Sequence, residues 1–156
     1  MAKDLRLAFT KSRAGAIIEG DLLFSDNDLE TDEGLTTAVL ISVYTDKRAK
    51  EDDNLDDRND LRGWWGDEVS EIEGDEIGSK LWLLDRASTT KETLSRAKTY
   101  LEDCVTWMVE DGVAAKVEAE TFRLNAVLAA IIRIYKNDGE TITIKFSNLW
   151  EVQYAV

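Results

Sequence analysis

Residues 89–120, TTKETLSRAKTYLEDCVTWMVEDGVAAKVEAE, contain the change of hydrophobic period that decides the fold. Before Gly112, apolar side chains recur at spacings of three and four, which is typical of a helix with one buried face. After Gly112 they alternate with polar side chains, which is typical of a strand with one face in the core. The sequence therefore predicts a long helix from about residue 89 to 111, followed by a strand. The helical stripe consists of Leu94, Ala97, Leu101, Cys104, Val105 and Met108.

Both ends of the predicted helix have sequence features that are typical of helix termini. Thr89 and Glu92, three residues later, have the spacing of a capping box, in which each side chain satisfies an unpaired backbone N–H. Gly112 can adopt the left-handed conformation that ends many helices. The strand is predicted over residues 113–120. Its core-facing positions are Val113, Ala115, Val117 and Ala119.

Two further strands are predicted at residues 126–135 and 141–146, on either side of a turn that contains Asp138-Gly139. An Asp-Gly pair between alternating segments favours a two-residue type I′ turn. We therefore predict an α+β fold, in which a long helix packs on a small antiparallel sheet with a C-terminal β-hairpin.

The first part of the chain has weaker patterns. Short apolar clusters around two glycines predict short strands or an extended N-terminal arm over residues 1–25. An acidic turn follows, and the apolar run after it favours a helix over a buried strand at about residues 36–45. Residues 147–156 form a mixed apolar and polar tail. A length of 156 residues without proline predicts a single domain, 1–156.

The amino-acid composition excludes several classes of catalytic site, metal site and binding partner. The chain has no histidine and one cysteine, Cys104, which excludes Ser-His-Asp and Cys-His catalysis, His-ligated zinc and internal disulfides. Cys104 lies on the apolar stripe, which indicates a buried structural thiol. The 32 acidic residues outnumber 19 basic ones, and the net charge of −13 repels phosphate backbones and anionic membranes. We expect no nucleic acid, no membrane and no cofactor as partners.

One acidic segment has some likeness to a calcium loop. Asp52, Asn54 and Asp56 alternate as in the first half of an EF-hand. The sixth position is Asp57 where glycine is needed, and the twelfth is Gly63 where glutamate is needed. This segment is therefore interpreted as a solvated loop without a metal site. The other carboxylates are interpreted as solvated groups rather than as a catalytic pair.

The most unusual hexapeptide is RGWWGD, Arg62–Asp67. Adjacent large aromatics framed by glycines either pin a loop onto the core or offer rigid anchors to a partner protein. We expect at least one of Trp64 and Trp65 to be mostly buried, because two exposed indoles would form an aggregation-prone patch.

Four motifs, taken in order, resemble the Mu-like phage protein family, typified by the gene-forty-six product of phage Mu. The resemblance covers most of the chain from about residue 20 onward. The matching segments are LTTAVLISVYTDKRA (35–49), RGWWGD (62–67), IGSKLWLLDR (77–86) and YLEDCVTWMVEDGVA (100–114).

That family is related to the small, lysozyme-like baseplate wedge protein of contractile-tailed phages. The resemblance implies a lysozyme-like wedge fold without enzymatic activity. It also implies a structural subunit present in several copies, which docks on a larger J-like baseplate protein, meets the hub or spike, and lies where the sheath begins. The implied location is the virion tail baseplate, reached from the host cytoplasm during assembly. A glycan-cleaving enzyme and an acidic regulatory binding module are the alternatives.

The resemblance also bears on partner contacts. In the wider wedge family, a Glu-Pro-Arg motif follows the helix near a tryptophan that matches Trp107, but residues 108–111 here contain neither proline nor arginine. The open edge of the C-terminal hairpin could receive a strand from a neighbour. The candidate partner-binding residues are Trp64, Trp65, Trp107, Ile142, Ile144, Phe146 and Trp150.

Overall fold

The computed structural model describes residues 35–150 except 56, 73 and 75, together with the backbone of six short strands between residues 4 and 32. These strands pair antiparallel as β1 with β6, β2 with β3 and β4 with β5, so that two hairpins lie between the members of an outer pair. The predicted short strands are confirmed, and two more lie where an acidic turn was expected. Their bounds are Asp4–Leu5, Leu7–Lys11, Ile18–Leu22, Phe24–Ser25, Asp28–Leu29 and Thr31–Asp32, for β1 to β6.

The first helix, α1, spans Thr36–Tyr44, which confirms the helix predicted for the apolar run. Val39, Leu40 and Val43 are buried in the main core. Their spacing of three and four places them on one face of α1, and this face packs toward the long helix.

The predicted long helix is two helices, α2 over Lys91–Val105 and α3 over Trp107–Glu110. The break at Thr106 coincides with a local change in hydrogen bonding. The Thr106 hydroxyl donates to the Glu102 carbonyl at 2.9 Å, and the Thr106 N–H donates to the Asp103 carbonyl three residues back. A side chain that bonds the i−4 carbonyl competes with the helical ladder and bends the helix. The predicted stripe is otherwise correct, since Ala97, Leu101 and Met108 are fully buried.

The N-cap of α2 is Thr90 rather than the predicted Thr89. The Thr90 hydroxyl accepts from the Thr93 N–H at 3.2 Å, and the Thr93 hydroxyl donates to the Ser88 carbonyl at 2.7 Å. With Thr90 as the N-cap, the third residue of the helix is Thr93, whereas in the predicted capping box it would be Glu92. At the other end, Gly112 has a φ of +71°, as predicted for a left-handed cap.

A three-stranded antiparallel sheet follows in the order β7-β8-β9, over Lys116–Leu124, Val127–Tyr135 and Thr141–Phe146. Its inner face packs on α2 and forms the main core. The α+β prediction is therefore confirmed: helices pack on a small antiparallel sheet that ends in a hairpin. Side chains of the sheet that are fully buried against the helices include Ile132, Ile134, Ile144 and Phe146.

The sheet begins later than the sequence predicts. Val113 and Ala115 are exposed and Ala114 is buried, so the alternation proposed for these positions is wrong. The reason is that the Ala114 N–H donates to the Met108 carbonyl at 2.8 Å, which ties this stretch to the end of α3. The inward-facing positions that were predicted correctly are Val117 and Ala119.

The β8–β9 turn is also of another type than predicted. The Gly139 N–H donates to the Lys136 carbonyl at 3.1 Å, and the Lys136 N–H donates to the Glu140 carbonyl at 2.8 Å. Gly139 has a φ of +90°, whereas Asp138 is not among the residues with positive φ. The connection is therefore a three-residue loop with a glycine bulge, which uses Asx-Gly as readily as a type I′ turn does.

Cys104 is buried, as predicted, with its thiol directed at the Leu101 carbonyl. Burial raises the pKa of Cys104 to about 12. The thiol is therefore protonated at neutral pH and acts as a small apolar core group.

The long connection between α1 and α2 is held by a parallel bridge of Asp46 with Ser79. The Ser79 N–H donates to the Thr45 carbonyl at 2.8 Å, and the Lys47 N–H donates to the Ser79 carbonyl at 3.0 Å. Gly78, in the IGSKLW motif, has a φ of +105° and lies so close that an added Cβ would be 2.5 Å from the Thr45 carbonyl oxygen. This motif therefore closes the connection against the end of α1.

Gly78→Ala should lower the free energy of unfolding by about 1–3 kcal/mol from backbone strain, with a further cost from the contact with Thr45. Urea denaturation measures the change. Gly139→Ala is the matched control, because Gly139 also has positive φ but has open space around its Cβ position. Equal destabilisation by both variants would contradict the close approach at Gly78.

The charge-dense segment after α1 is anchored rather than freely solvated. Asp53 accepts from the Lys80 ammonium at 2.6 Å and from the Lys50 N–H at 2.7 Å. Burial opposes ionisation of Asp53, but the bonds from Lys80 and Lys50 outweigh it and lower the pKa of this carboxyl. Of the positions compared with a calcium loop, Asp52 and Asn54 are exposed, and residue 56 lies outside the described residues.

Candidate protein–protein interfaces

The two edges of the β7-β8-β9 sheet differ in what covers them. At the β7 edge, the Ala119 N–H donates to the Glu102 carboxylate at 3.1 Å, and the Thr121 hydroxyl donates to the Leu94 carbonyl at 2.8 Å. Glu102 and Leu94 belong to α2, so this helix covers the β7 edge. The β9 edge has no strand beside it among the described residues.

Backbone alternation shows which groups the β9 edge presents. The bond from the Lys136 N–H to the Glu140 carbonyl makes this pair a hydrogen-bonded one. In antiparallel pairing, hydrogen-bonded and non-bonded pairs alternate, so Ile142, Ile144 and Phe146 direct their backbone groups to β8. The intervening residues direct theirs to the open side, and these residues are Thr141, Thr143 and Lys145.

The apolar side chains of β9 pack on the core of their own chain. Ile144 and Phe146 are each 1% exposed, and Ile142 packs partly buried against the same core. The apolar face of the strand therefore builds the core, and the role of these three residues in partner binding stays a prediction. What β9 can offer a neighbour is the backbone of its open edge.

The two other tryptophans among the predicted partner-binding residues pack on their own chain. Trp107, at the start of α3, is half-buried and donates from Nε1 to the Ser42 hydroxyl of α1 at 3.2 Å. Trp150 is half-buried against the core. Both keep some accessible surface, but their main contacts are intramolecular. The C-terminal tail beyond Trp150 lies outside the described residues.

Neither tryptophan of RGWWGD is buried. Trp64 is 44% exposed and Trp65 is 73% exposed, so the expectation that at least one would be mostly buried is wrong. Their rings pack on each other instead, with centroids 5.5 Å apart. The Trp64 ring also covers Gly66, where an added Cβ would lie 2.2 Å from it. Gly66 therefore leaves room for the Trp64 indole within the loop itself, so the ring packs there and not in the core.

Sequence reasoning missed two residues of this surface. Val69 is 70% exposed and Ile72 is 68% exposed. Val69 and Ile72 stand four and seven residues after Trp65, within an acidic stretch. Their separation from any longer apolar run was the available signal. We call residues 62–72 the tryptophan loop.

The tryptophan loop has an ordered base. Arg62 donates to Asp46 at 2.8 Å and stacks over the Trp82 ring at 4.5 Å from its centroid. Arg62 has a φ of +47°, an uncommon conformation for a side chain of this size. A hydrogen bond from the edge of the guanidinium and stacking on one of its faces thus hold a strained backbone at the start of the loop.

The clefts formed by the described residues show no arrangement suited to catalysis. A cleft of about 330 Å³ is lined by Asp57, Asp60, Arg62, Trp82 and Asp85 among others. Arg62 pairs with Asp60 at 3.5 Å, and all three carboxylates are exposed. Within the described residues, no acidic or cysteine cluster could hold a metal ion, and no helix could span a membrane.

Trp65→Phe should cause the largest fall in acrylamide quenching among single Trp→Phe variants, because Trp65 is the most exposed of the described large apolar side chains. The Stern–Volmer slope of the purified chain measures it. Trp107→Phe is the control and should raise the average slope by removing a shielded indole. An unchanged slope for Trp65→Phe would contradict the exposure of this side chain.

Comparison with known proteins assigns the family. The chain is 37% identical over 145 residues to baseplate protein gp46 of Escherichia phage Mu, covering 92% of this chain and 94% of that protein. It is 35% identical over 136 residues to the Mu-like prophage FluMu protein gp46 of Haemophilus influenzae, covering 86% and 92%. The family model described as phage protein GP46 matches residues 35–141, which include α1, the tryptophan loop, the helices and most of the sheet. The chain therefore belongs to the phage protein GP46 family.

Proposed function

We propose that this chain is a structural protein of a phage tail baseplate. The observation that carries the proposal is the match, over 92% of the chain, to a relative named as a baseplate protein. The contents of the described residues agree with an assembly role, since they provide an open strand edge and a rigid apolar loop but no catalytic constellation. We propose no enzymatic activity.

Within the baseplate, we assign the chain to the wedge, with a lysozyme-like wedge fold as its architecture. A larger J-like protein is its proposed docking partner, with the hub or spike nearby, and several copies surround the tail axis. The open edge of β9 supports a position next to the sheath, because an added strand could bond to the outward groups of Thr141, Thr143 and Lys145. Sheath assembly would then start from this edge.

Electron microscopy of purified tail particles tests this function. Antibody against the subunit should label one end of the sheath, at the baseplate, in several copies per particle. Particles from a strain that lacks the subunit should have no complete baseplate and no sheath. Label at the head or along the whole sheath, or no label on tails, would contradict the proposal.

A peptidoglycan release assay with the purified chain tests the absence of enzymatic activity. No release above buffer is expected. Release that is lost on replacing one carboxylate would instead indicate a glycan-cleaving enzyme.

A further inference from the structure

The tryptophan loop concentrates the exposed apolar surface of the described residues. Trp65, Val69 and Ile72 are 73%, 70% and 68% exposed, whereas Leu124, Val109 and Val113 elsewhere are 43% or less. Scattered apolar side chains are normal on a protein surface, but grouped ones are typical of interaction sites.

The loop is also held in shape before any partner binds. Its centre is a 3₁₀ turn over Trp65–Glu68, with the Asp67 N–H donating to the Trp64 carbonyl at 3.2 Å. The Asp67 carboxylate accepts from the Ile77 N–H at 3.2 Å and ties the turn to the next segment. A rigid aromatic anchor loses little conformational entropy on binding, which is the property of interface hot spots.

The stretch that carries these apolar groups has charged residues of one sign, although two of them pair with cations from another segment. Residues 63–79 contain no lysine or arginine. Glu68 pairs with Arg48 at 3.6 Å and Glu76 with Lys47 at 3.4 Å, and the Glu68 side chain remains 73% exposed. The acidic residues of the stretch are Asp67, Glu68, Glu71, Glu73, Asp75 and Glu76.

We propose that the tryptophan loop inserts into an apolar recess with a lysine- and arginine-rich rim on a different protein of the same particle. This inference rests on the proposed baseplate role. The acidic residues around the loop favour a partner with a basic rim. A basic rim is attracted by their negative field, whereas a neutral or acidic rim is not. A second copy of this chain would bring another net charge of −13 to the contact. An anionic membrane is repelled for the same reason.

The test places a photocrosslinking residue, benzoylphenylalanine, at position 65 of the full chain. Tails are assembled with this chain, purified and irradiated, and the crosslinked peptide is identified by mass spectrometry. We expect a peptide of another tail protein, with lysine or arginine beside an apolar side chain. Benzoylphenylalanine at position 124 is the matched control, because Leu124 is an exposed apolar residue outside the loop, and it should not crosslink to that peptide.

A second arm tests the charge. The double variant Glu68→Gln, Glu71→Gln should reduce the crosslink yield from position 65 severalfold at low salt, and less at high salt. A crosslink to a second copy of the chain, or to a surface without basic residues, would overturn the inference, as would equal yields with and without the two carboxylates. A chain that is incorporated into tails but gives no crosslink also overturns it, with the baseplate role intact. A chain absent from purified tails overturns the baseplate role itself, and the inference with it.

Discussion

Leu101→Ala should lower the free energy of unfolding by about 2–5 kcal/mol, because it leaves a cavity where α2 packs on the sheet. Leu101 is fully buried in a core that takes residues from α1, α2, α3 and all three strands of the sheet. Such a core cannot collapse far toward the missing atoms, since each neighbour is fixed by its own element. The midpoint of urea denaturation measures the change.

The matched control is Leu124→Ala. Leu124, at the end of β7, is 43% exposed, so the same truncation there removes little buried area. Its effect should stay within about 0.5 kcal/mol of zero. Similar losses for the two variants would mean that Leu101 does not lie at the helix–sheet contact.

Thr143→Pro should leave the chain folded and prevent the formation of sheathed tails, if the β9 edge receives a strand in the assembled particle. Thr143 directs its N–H to the open side of the sheet, so proline there removes no bond to β8. It does remove a donor for an added strand, and its ring occupies the approach. Circular dichroism of the purified chain and electron microscopy of tail particles measure the two effects.

Two neighbouring substitutions separate pairing from folding. Ile144→Pro deletes a donor that bonds to β8 and should unfold the sheet, because Ile144 is also 1% exposed in the core. Thr143→Ala keeps the N–H and should support normal tails. Sheathed tails from a folded Thr143→Pro chain would exclude strand addition at this edge.

Where periodicity carried the information, the sequence predicted the structure well. The spacing around Leu101 predicted the buried face of α2, and the alternation over residues 141–146 predicted the strand β9. Both patterns arise because one face of the element is in the core, and the core is what the period reports.

The errors occur where a single hydrogen bond decides the geometry. At Thr106 the hydroxyl bonds the Glu102 carbonyl where α2 ends, and Thr90 rather than Thr89 is the cap because its hydroxyl accepts from the Thr93 N–H. Adjacent residues of the same type look alike to any pattern.

The candidate interface was harder to predict than the fold. Hydrophobicity alone indicates burial for Trp65 and Ile144 alike, yet one is exposed and the other is in the core. The difference lies in the elements that carry them, because the inner face of β9 joins the main core, whereas the Trp64 ring packs on Gly66 and Trp65 remains outside. Residues that could bind a partner are therefore recognised only when it is known which apolar residues the chain's own core uses.

The two unequal edges of the sheet limit the number of strands from other chains with which it can pair. With α2 covering β7, the described sheet can form one strand pairing with another chain and no more. Two free copies that paired through β9 would consume both open edges and stop as a dimer, whereas a sheet open on both sides could elongate into a fibre. A subunit of this kind can begin or end a row of paired strands but cannot lie in the middle of one. A row that begins at this subunit therefore grows on one side only.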